Sequence, residues 1–167
     1  MPVEIERRFL VSDLQAVLAT GDVTVWRRLK QGYFGKVKGL RVRVRIVSDA
    51  GNCERALISL KGPKRGLCRT EYEFPMPIER ARRELLSLPP SRIIHKVRYD
   101  VSHGGVVWSV DRFQGANAGL VLAEVEPSDP DQRIELPPWV AQEVTHDRRY
   151  GNSRLARSPL ASAARGA

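Results

Sequence analysis

The sequence predicts a single α+β domain of seven or eight strands and two or three short helices. Three observations carry that prediction. Charged and apolar residues alternate with period two along much of the chain, the mark of strands with two unlike faces. Breaks rich in Gly and Pro, among them Gly62-Pro63, Pro89-Pro90 and Gly104-Gly105, separate those stretches. Short segments between them carry apolar residues at helical spacing. A length of 167 residues with 42% hydrophobic content suits one domain with a real core.

Residues 3–11 open the chain as a strand, with Glu4, Glu6 and Arg8 on one face and Val3, Ile5 and Phe9 on the other. Residues 13–20 read as a short helix capped by Ser12 or Asp13. Along 40–47, Arg41, Arg43 and Arg45 alternate with Leu40, Val42, Val44 and Ile46. Residues 55–61 place Ser59 and Lys61 together, and 69–74 set Arg69, Glu71 and Glu73 against Thr70, Tyr72 and Phe74. Ile78, Ala81, Leu85 and Leu88 have helical spacing, and Pro89-Pro90 ends that helix. Two strands, 92–102 and 105–113, form a hairpin at Gly104-Gly105. They carry Lys96 and Arg98 on one, Ser109 and Asp111 on the other. A strand at 119–126 aligns Glu124 with Glu126. Pro137-Pro138-Trp139 is expected to open a short helix, and another is expected near Leu155.

Composition narrows the function classes. Lys and Arg number 28 against 19 Asp and Glu, a formal charge of +9, which favours anionic partners. The few aromatics are not interleaved with arginines as a stacking platform for nucleic acid requires, so nucleic acid is disfavoured. No run of 18 apolar residues suggests a membrane span, and the N-terminus lacks the apolar stretch of a signal peptide. A cytoplasmic protein is expected. Cys53 and Cys68 lack partners for a zinc site and read as ordinary thiols. His95, His103 and His146 have no ligand spacing.

The grouping of charge by sign carries more than its alternation. Any one charged strand face is usually just wet. Here Glu4/Glu6, Glu71/Glu73 and Glu124/Glu126 are three Glu-x-Glu pairs, and Arg41/Arg43/Arg45 and Lys96/Arg98 are basic counterparts. Residues two apart on a strand stand roughly 6.5–7 Å apart on one face. Paired carboxylates at that distance repel unless a cation or basic group faces them. Such oxygens suit Mg²⁺ or Mn²⁺, and arginine forks suit phosphate oxygens. A polyphosphate with its metal needs both signs together. A closed antiparallel barrel with a polar interior, clad in helices, would gather these faces. The pattern alone leaves that barrel and a solvent-faced sandwich both standing.

The order of the motifs resembles that of the CYTH domain, or triphosphate tunnel metalloenzyme, family. Glu4-Ile5-Glu6-Arg7-Arg8 is similar to its opening Glu-x-Glu-x-Lys motif. Gln31-Gly32-Tyr33, the Arg-x-Arg run at 41–45, Leu60-Lys61-Gly62, Arg69 with Glu71-Tyr72-Glu73, Lys96-Val97-Arg98-Tyr99, Asp111, Glu124-Val125-Glu126 and the ending at 144–152 follow in family order. The resemblance implies an eight-stranded antiparallel barrel forming a tunnel over residues 1–155, with 156–167 as a flexible tail. It implies metal-dependent hydrolysis of inorganic triphosphate to pyrophosphate and phosphate. Adenylate cyclase, thiamine or nucleoside triphosphatase, and a non-catalytic polyphosphate-binding module are the alternatives. A homodimer stays open.

By position, the resemblance makes Glu4, Glu6, Glu124, Glu126 and Asp111 metal ligands for Mg²⁺ or Mn²⁺. Arg43, Arg45, Lys61, Arg69, Lys96 and Arg98 become the phosphate clamp, with Arg41 in the same register; which two of the three β-strand arginines form the family pair stays open. Glu71 and Glu73 support metal, water or the bases. Tyr33 matches a tyrosine that some bacterial members pair with the motif lysine as a catalytic dyad. Arg8 stands where that lysine would be. Arginine keeps its proton and cannot act as a base, yet it can bind phosphate and is expected to lower the Tyr33 pKa.

Overall fold

A computed structural model describes residues 3–20 and 22–160. Ten antiparallel strands account for most of it: β1 Val3–Ile5, β2 Arg7–Val11, β3 Val23–Val37, β4 Leu40–Asp49, β5 Glu54–Lys61, β6 Cys68–Met76, β7 Ile93–His103, β8 Val106–Phe113, β9 Val121–Val125 and β10 Val140–Glu143. Three helices join them: α1 Leu14–Ala19, α2 Ile78–Leu86 and α3 Asn152–Arg157. No helix among the described residues is long and apolar enough to cross a membrane.

The strands order as β1-β6-β5-β4-β3-β7-β8-β9-β2-β10, which corrects the expected eight-stranded closed barrel. Two features make the difference. The strand expected over 3–11 is interrupted at Glu6, so β1 pairs with β6 while β2 pairs with β9. Residues 140–143, expected near a helix, form β10 beside β2. The ladder is therefore open, with β1 and β10 as its edges. Its two ends still meet, because only Glu6 separates Ile5 from Arg7 and consecutive Cα atoms lie about 3.8 Å apart. The N-terminal segment joins the ends of a curled sheet covalently.

The outer face is apolar and clad in two places. Phe9, Val101, Trp108, Val110, Ala123 and Val125 pack with Val17 of α1 and with Trp139. Trp108 sits between Phe9 and Trp139, with ring centroids at 5.4 and 5.7 Å. Asp13 caps α1 by accepting from the Gln15 amide at 2.8 Å. Trp139 anchors the chain where Pro137-Pro138 favours extension, so the expected helix gives way to a turn leading into β10.

The second cladding is α2, whose Ala81 and Leu85 pack on Val44, Ile46 and Ala56. Gly32 lets this helix approach β3. A Cβ there would lie 2.5 Å from Leu88 Cδ1 and 2.6 Å from Leu85 Cδ2. Those atoms are flexible methyl ends, so they can shift at modest cost. Gly32→Ala is expected to lower stability by about 1 kcal/mol, the low end of overpacking, read by urea denaturation.

α3 departs from the expected outside position. Leu155 and Ala156 pack with Ile94, Phe113 and Leu122, with Leu10 and Tyr33 alongside. Leu10, Leu122, Phe113 and Ile94 lie two residues from Arg8, Glu124, Asp111 and Lys96, so they share the charged face. α3 thus seals one end of the inner face. Ala156 and Arg157, counted with the tail in the sequence reading, belong to this helix, and the Leu160 amide donates to Asn117 Oδ1 at 3.2 Å. Residues 161–167 lie outside the described residues.

Candidate functional site

The strand register brings the charged positions onto one inner face. Across the ladders, Glu4 faces Arg69, Lys61 faces Glu71, Arg98 faces Asp111, Arg8 faces Glu124 and Arg45 faces Gln31. The acids and bases cross-pair in two groups joined at Glu6.

The first group lies on β1, β6, β5 and β4. Arg69 Nε donates to Glu4, and Lys61 Nζ contacts Glu4 at 3.2 Å and Glu71 at 2.7 Å. Arg43 Nη2 donates to Ser59 Oγ at 2.8 Å and to Glu71 and Glu73 at 3.2 Å each. Burial works against the Glu4 charge, yet Lys61 and Arg69 outweigh it and hold its carboxyl at about 2. For Glu71, burial prevails and pushes the carboxyl up.

The second group lies on β2, β9, β8 and β7. Arg8 donates to Glu6, to Glu124 at 3.0 Å and to the Tyr150 carbonyl at 3.1 Å. Arg98 forks onto Asp111 at 2.7 Å on both oxygens and reaches Glu124 at 2.8 Å. Lys96, fully buried, donates to Asp111 and to Asn152 at the start of α3, the latter at 3.4 Å. Burial pushes the Lys96 ammonium down to about 8 despite Asp111. Asp111 and Glu124 resist burial because Arg98, Lys96 and Arg8 surround them, and both stay below the usual carboxylate range.

Three positions stand apart from this cross-pairing. Glu126 lies past the end of β9 and is exposed. Neighbouring protein still partly desolvates its carboxyl, and this, followed by repulsion from Glu4, Glu6 and Glu124, raises its pKa. Arg45 has no carboxylate within ion-pair range among the described residues; its Nε donates to Gln31 Oε1 at 2.9 Å. Burial, together with Arg43 and Arg98, pushes Arg45 down to about 9. Arg41, in the same register as Arg43 and Arg45, is exposed at the rim.

Tyr33 accepts from Gln31 Nε2 at 2.6 Å. Arg8 does pull on its pKa in the expected direction, as do Arg43 and Arg45, but burial outweighs all three and pushes the hydroxyl up to about 12. The expected lowering of the Tyr33 pKa is therefore corrected: desolvation of a phenolate costs more than these cations return.

Among the described residues, no three His, Cys, Asp or Glu side chains form a ready-made metal cage. The Glu4, Glu6, Glu124 and Asp111 oxygens are held by Arg and Lys instead. Both thiols are free, as expected.

A domain model described as the CYTH domain matches residues 2–158. The chain belongs to the CYTH-domain family. Similar to this CYTH domain is the inorganic triphosphatase of Acetivibrio thermocellus, 39% identical over 160 residues covering 95% of this chain and 96% of that protein. The inorganic triphosphatase of Nitrosomonas europaea is 33% identical over 159 residues, covering 93% and 97%. A crystal structure of an inorganic triphosphatase matches with a TM-score of 0.62 at 30% identity, over 93% of this chain and 98% of its own. A Pyrococcus horikoshii protein at 22% identity and a TM-score of 0.56, covering 76% and 80%, shares the fold.

Several polar groups of this CYTH domain escape a search for charge. Gln31, Ser59, Asn152 and the Tyr150 carbonyl each hold a basic side chain in place. For Gln31 and Ser59 the available signal was parity: they share a strand face with Tyr33 and Lys61 respectively.

Proposed function

We propose that this CYTH domain hydrolyses inorganic triphosphate to pyrophosphate and phosphate on the inner face of its curled sheet, with a divalent cation, Mg²⁺ or Mn²⁺. The observation that carries the reading is the converging mixture of signs. Partial desolvation, with repulsion from Glu4, Glu6 and Glu124 added to it, raises Glu126, while burial together with Arg43 and Arg98 depresses Arg45 on the same face. An anion bearing several charges relieves the arginines, and a hard cation relieves the carboxylates. The kinship with two inorganic triphosphatases along nearly the whole chain points the same way.

Glu4, Glu6, Glu124 and Glu126 would hold the cation, which when bound supplies charge neutralisation and polarisation of phosphate oxygens. Asp111 serves a different purpose in this reading, since Lys96 and Arg98 occupy both its oxygens at 1% exposure; it fixes those two bases for the substrate. Arg43, Arg45, Arg98, Lys61 and Arg69 neutralise the equatorial oxygens as water attacks a terminal phosphorus in line. The bond from that phosphorus to the bridging oxygen breaks, and pyrophosphate leaves. Arg8 and Tyr33 contribute charge and hydrogen bonding rather than proton transfer, because both keep their protons at neutral pH.

The test is a substrate panel: triphosphate, ATP and long-chain polyphosphate, each with Mg²⁺ or Mn²⁺, assayed for phosphate release and for binding. Phosphate release is expected chiefly from triphosphate. Preferential turnover of ATP would overturn the substrate, and binding without release would make the domain a polyphosphate-binding module.

A further inference from the structure

We infer that Gln31 is a positioning residue that aims Arg45 at the substrate, an inference that rests on the triphosphatase reading above. Gln31 is fully buried on the charged face, 0% exposed. Both ends of its amide are used. Its carbonyl oxygen accepts from Arg45 Nε at 2.9 Å, and its NH₂ donates to the Tyr33 hydroxyl at 2.6 Å. Arg45 Nε can only donate, so the amide oxygen must face it, and the NH₂ is left to donate to the Tyr33 hydroxyl. The oriented carbonyl then takes only the Nε of Arg45, leaving both Nη groups for phosphate oxygens.

The choice of a neutral partner is what gives Arg45 its value. Arg8, Arg43, Arg69 and Arg98, and both interior lysines, each spend charge on carboxylates. Arg45 alone among these described inner-face bases is oriented without being neutralised. A carboxylate at position 31 would hold the guanidinium equally well but cancel the charge that an incoming anion requires. Glutamine supplies the hydrogen bond and withholds the charge. Its two neighbours in this chain, Arg45 and Tyr33, come from strands β4 and β3, so the device spans the ladder rather than one segment.

Two variants test this. Gln31→Leu removes the acceptor and adds no charge. It is expected to raise both the Kd for tripolyphosphate, measured by titration calorimetry, and the KM by about threefold or more, with kcat changing less. Gln31→Glu keeps the acceptor and neutralises Arg45; Kd and KM are expected to rise by about tenfold or more, while the thermal midpoint holds or increases because a like-charge cluster is relieved. A purely structural Gln31 would instead lower the midpoint in both variants and leave Kd unchanged. Unaltered tripolyphosphate affinity in folded Gln31→Leu overturns the proposal, as does unaltered affinity in Gln31→Glu. Loss of phosphate release by the parent protein, with binding retained, strikes at the hydrolytic reading alone, since Kd still reports on Gln31.

Discussion

Glu126→Gln is expected to reduce metal-dependent triphosphate turnover by about two to three orders of magnitude, the usual scale for losing one electrostatic element of a phosphoryl-transfer site. Its thermal midpoint is expected to hold or rise. Both halves follow from the same surroundings. Glu126 is repelled by Glu4, Glu6 and Glu124, so removing its charge eases the folded protein while depriving a bound cation of a ligand. Glu4→Gln makes the contrast: it strips Lys61 and Arg69 of their shared partner, so activity and stability should fall together. The raised Glu126 pKa also sets a pH dependence. Its carboxyl ionises later than an ordinary glutamate as pH rises, so metal-dependent activity should fail on the acid side at a higher pH than a free carboxylate dictates. Assays across pH with metal titrations, beside melting curves, check all of this; full activity in Glu126→Gln refutes the metal assignment.

Asp111→Ala should be the most destabilising inner-face substitution, costing about 3–5 kcal/mol. It leaves Lys96 fully buried without its carboxylate and removes the fork that orients Arg98. Lys96 already sits at about 8; without Asp111 its pKa should fall further, so part of the cost is met by shedding a proton. Urea unfolding measures the loss, and a change under about 1 kcal/mol contradicts the assigned role. The same network governs acid stability. Glu4, Asp111 and Glu124 all have folded pKa values below their ordinary ones. Their contribution is complete above the unfolded carboxylate range, near pH 4–4.5, and drains away as pH falls toward the folded values, about 2 for Glu4. Acid titration of the fold should therefore show a steep loss below about pH 4 that Asp111→Ala makes shallower.

Much of this was legible in the sequence because a strand's side-chain period is two. Arg43 and Arg45, Lys96 and Arg98, and Glu124 and its partners could be assigned to one face by counting. Which acid would meet which base could not be counted, since that depends on register between strands far apart in the chain, as in Arg8 with Glu124. The interruption at Glu6 could not be read off, because Glu4, Glu6 and Arg8 keep one face through it and the only irregularity is Arg7 on the apolar face; the break comes from two different pairing partners, β6 and β9. β10 was missed because four residues are too few to show a period. The inward seat of α3 was hidden for another reason: Leu155 and Ala156 report burial but not the layer in which they are buried. Gln31 carries no charge and so left no trace in a pattern made of charges.

The covalent joint at Glu6 bears on how the chain is made. Residues 3–11 are made before their partners, residues 68–70 and 122–125. Half of this segment can find its place once β6 has emerged; the other half waits for β9. A folding chain must close loops of about 60 and then about 115 residues before its opening segment is seated, and long-range closure is slow. During synthesis β2 would settle only after β9 has emerged, so the inner face cannot close until most of the sheet has been made.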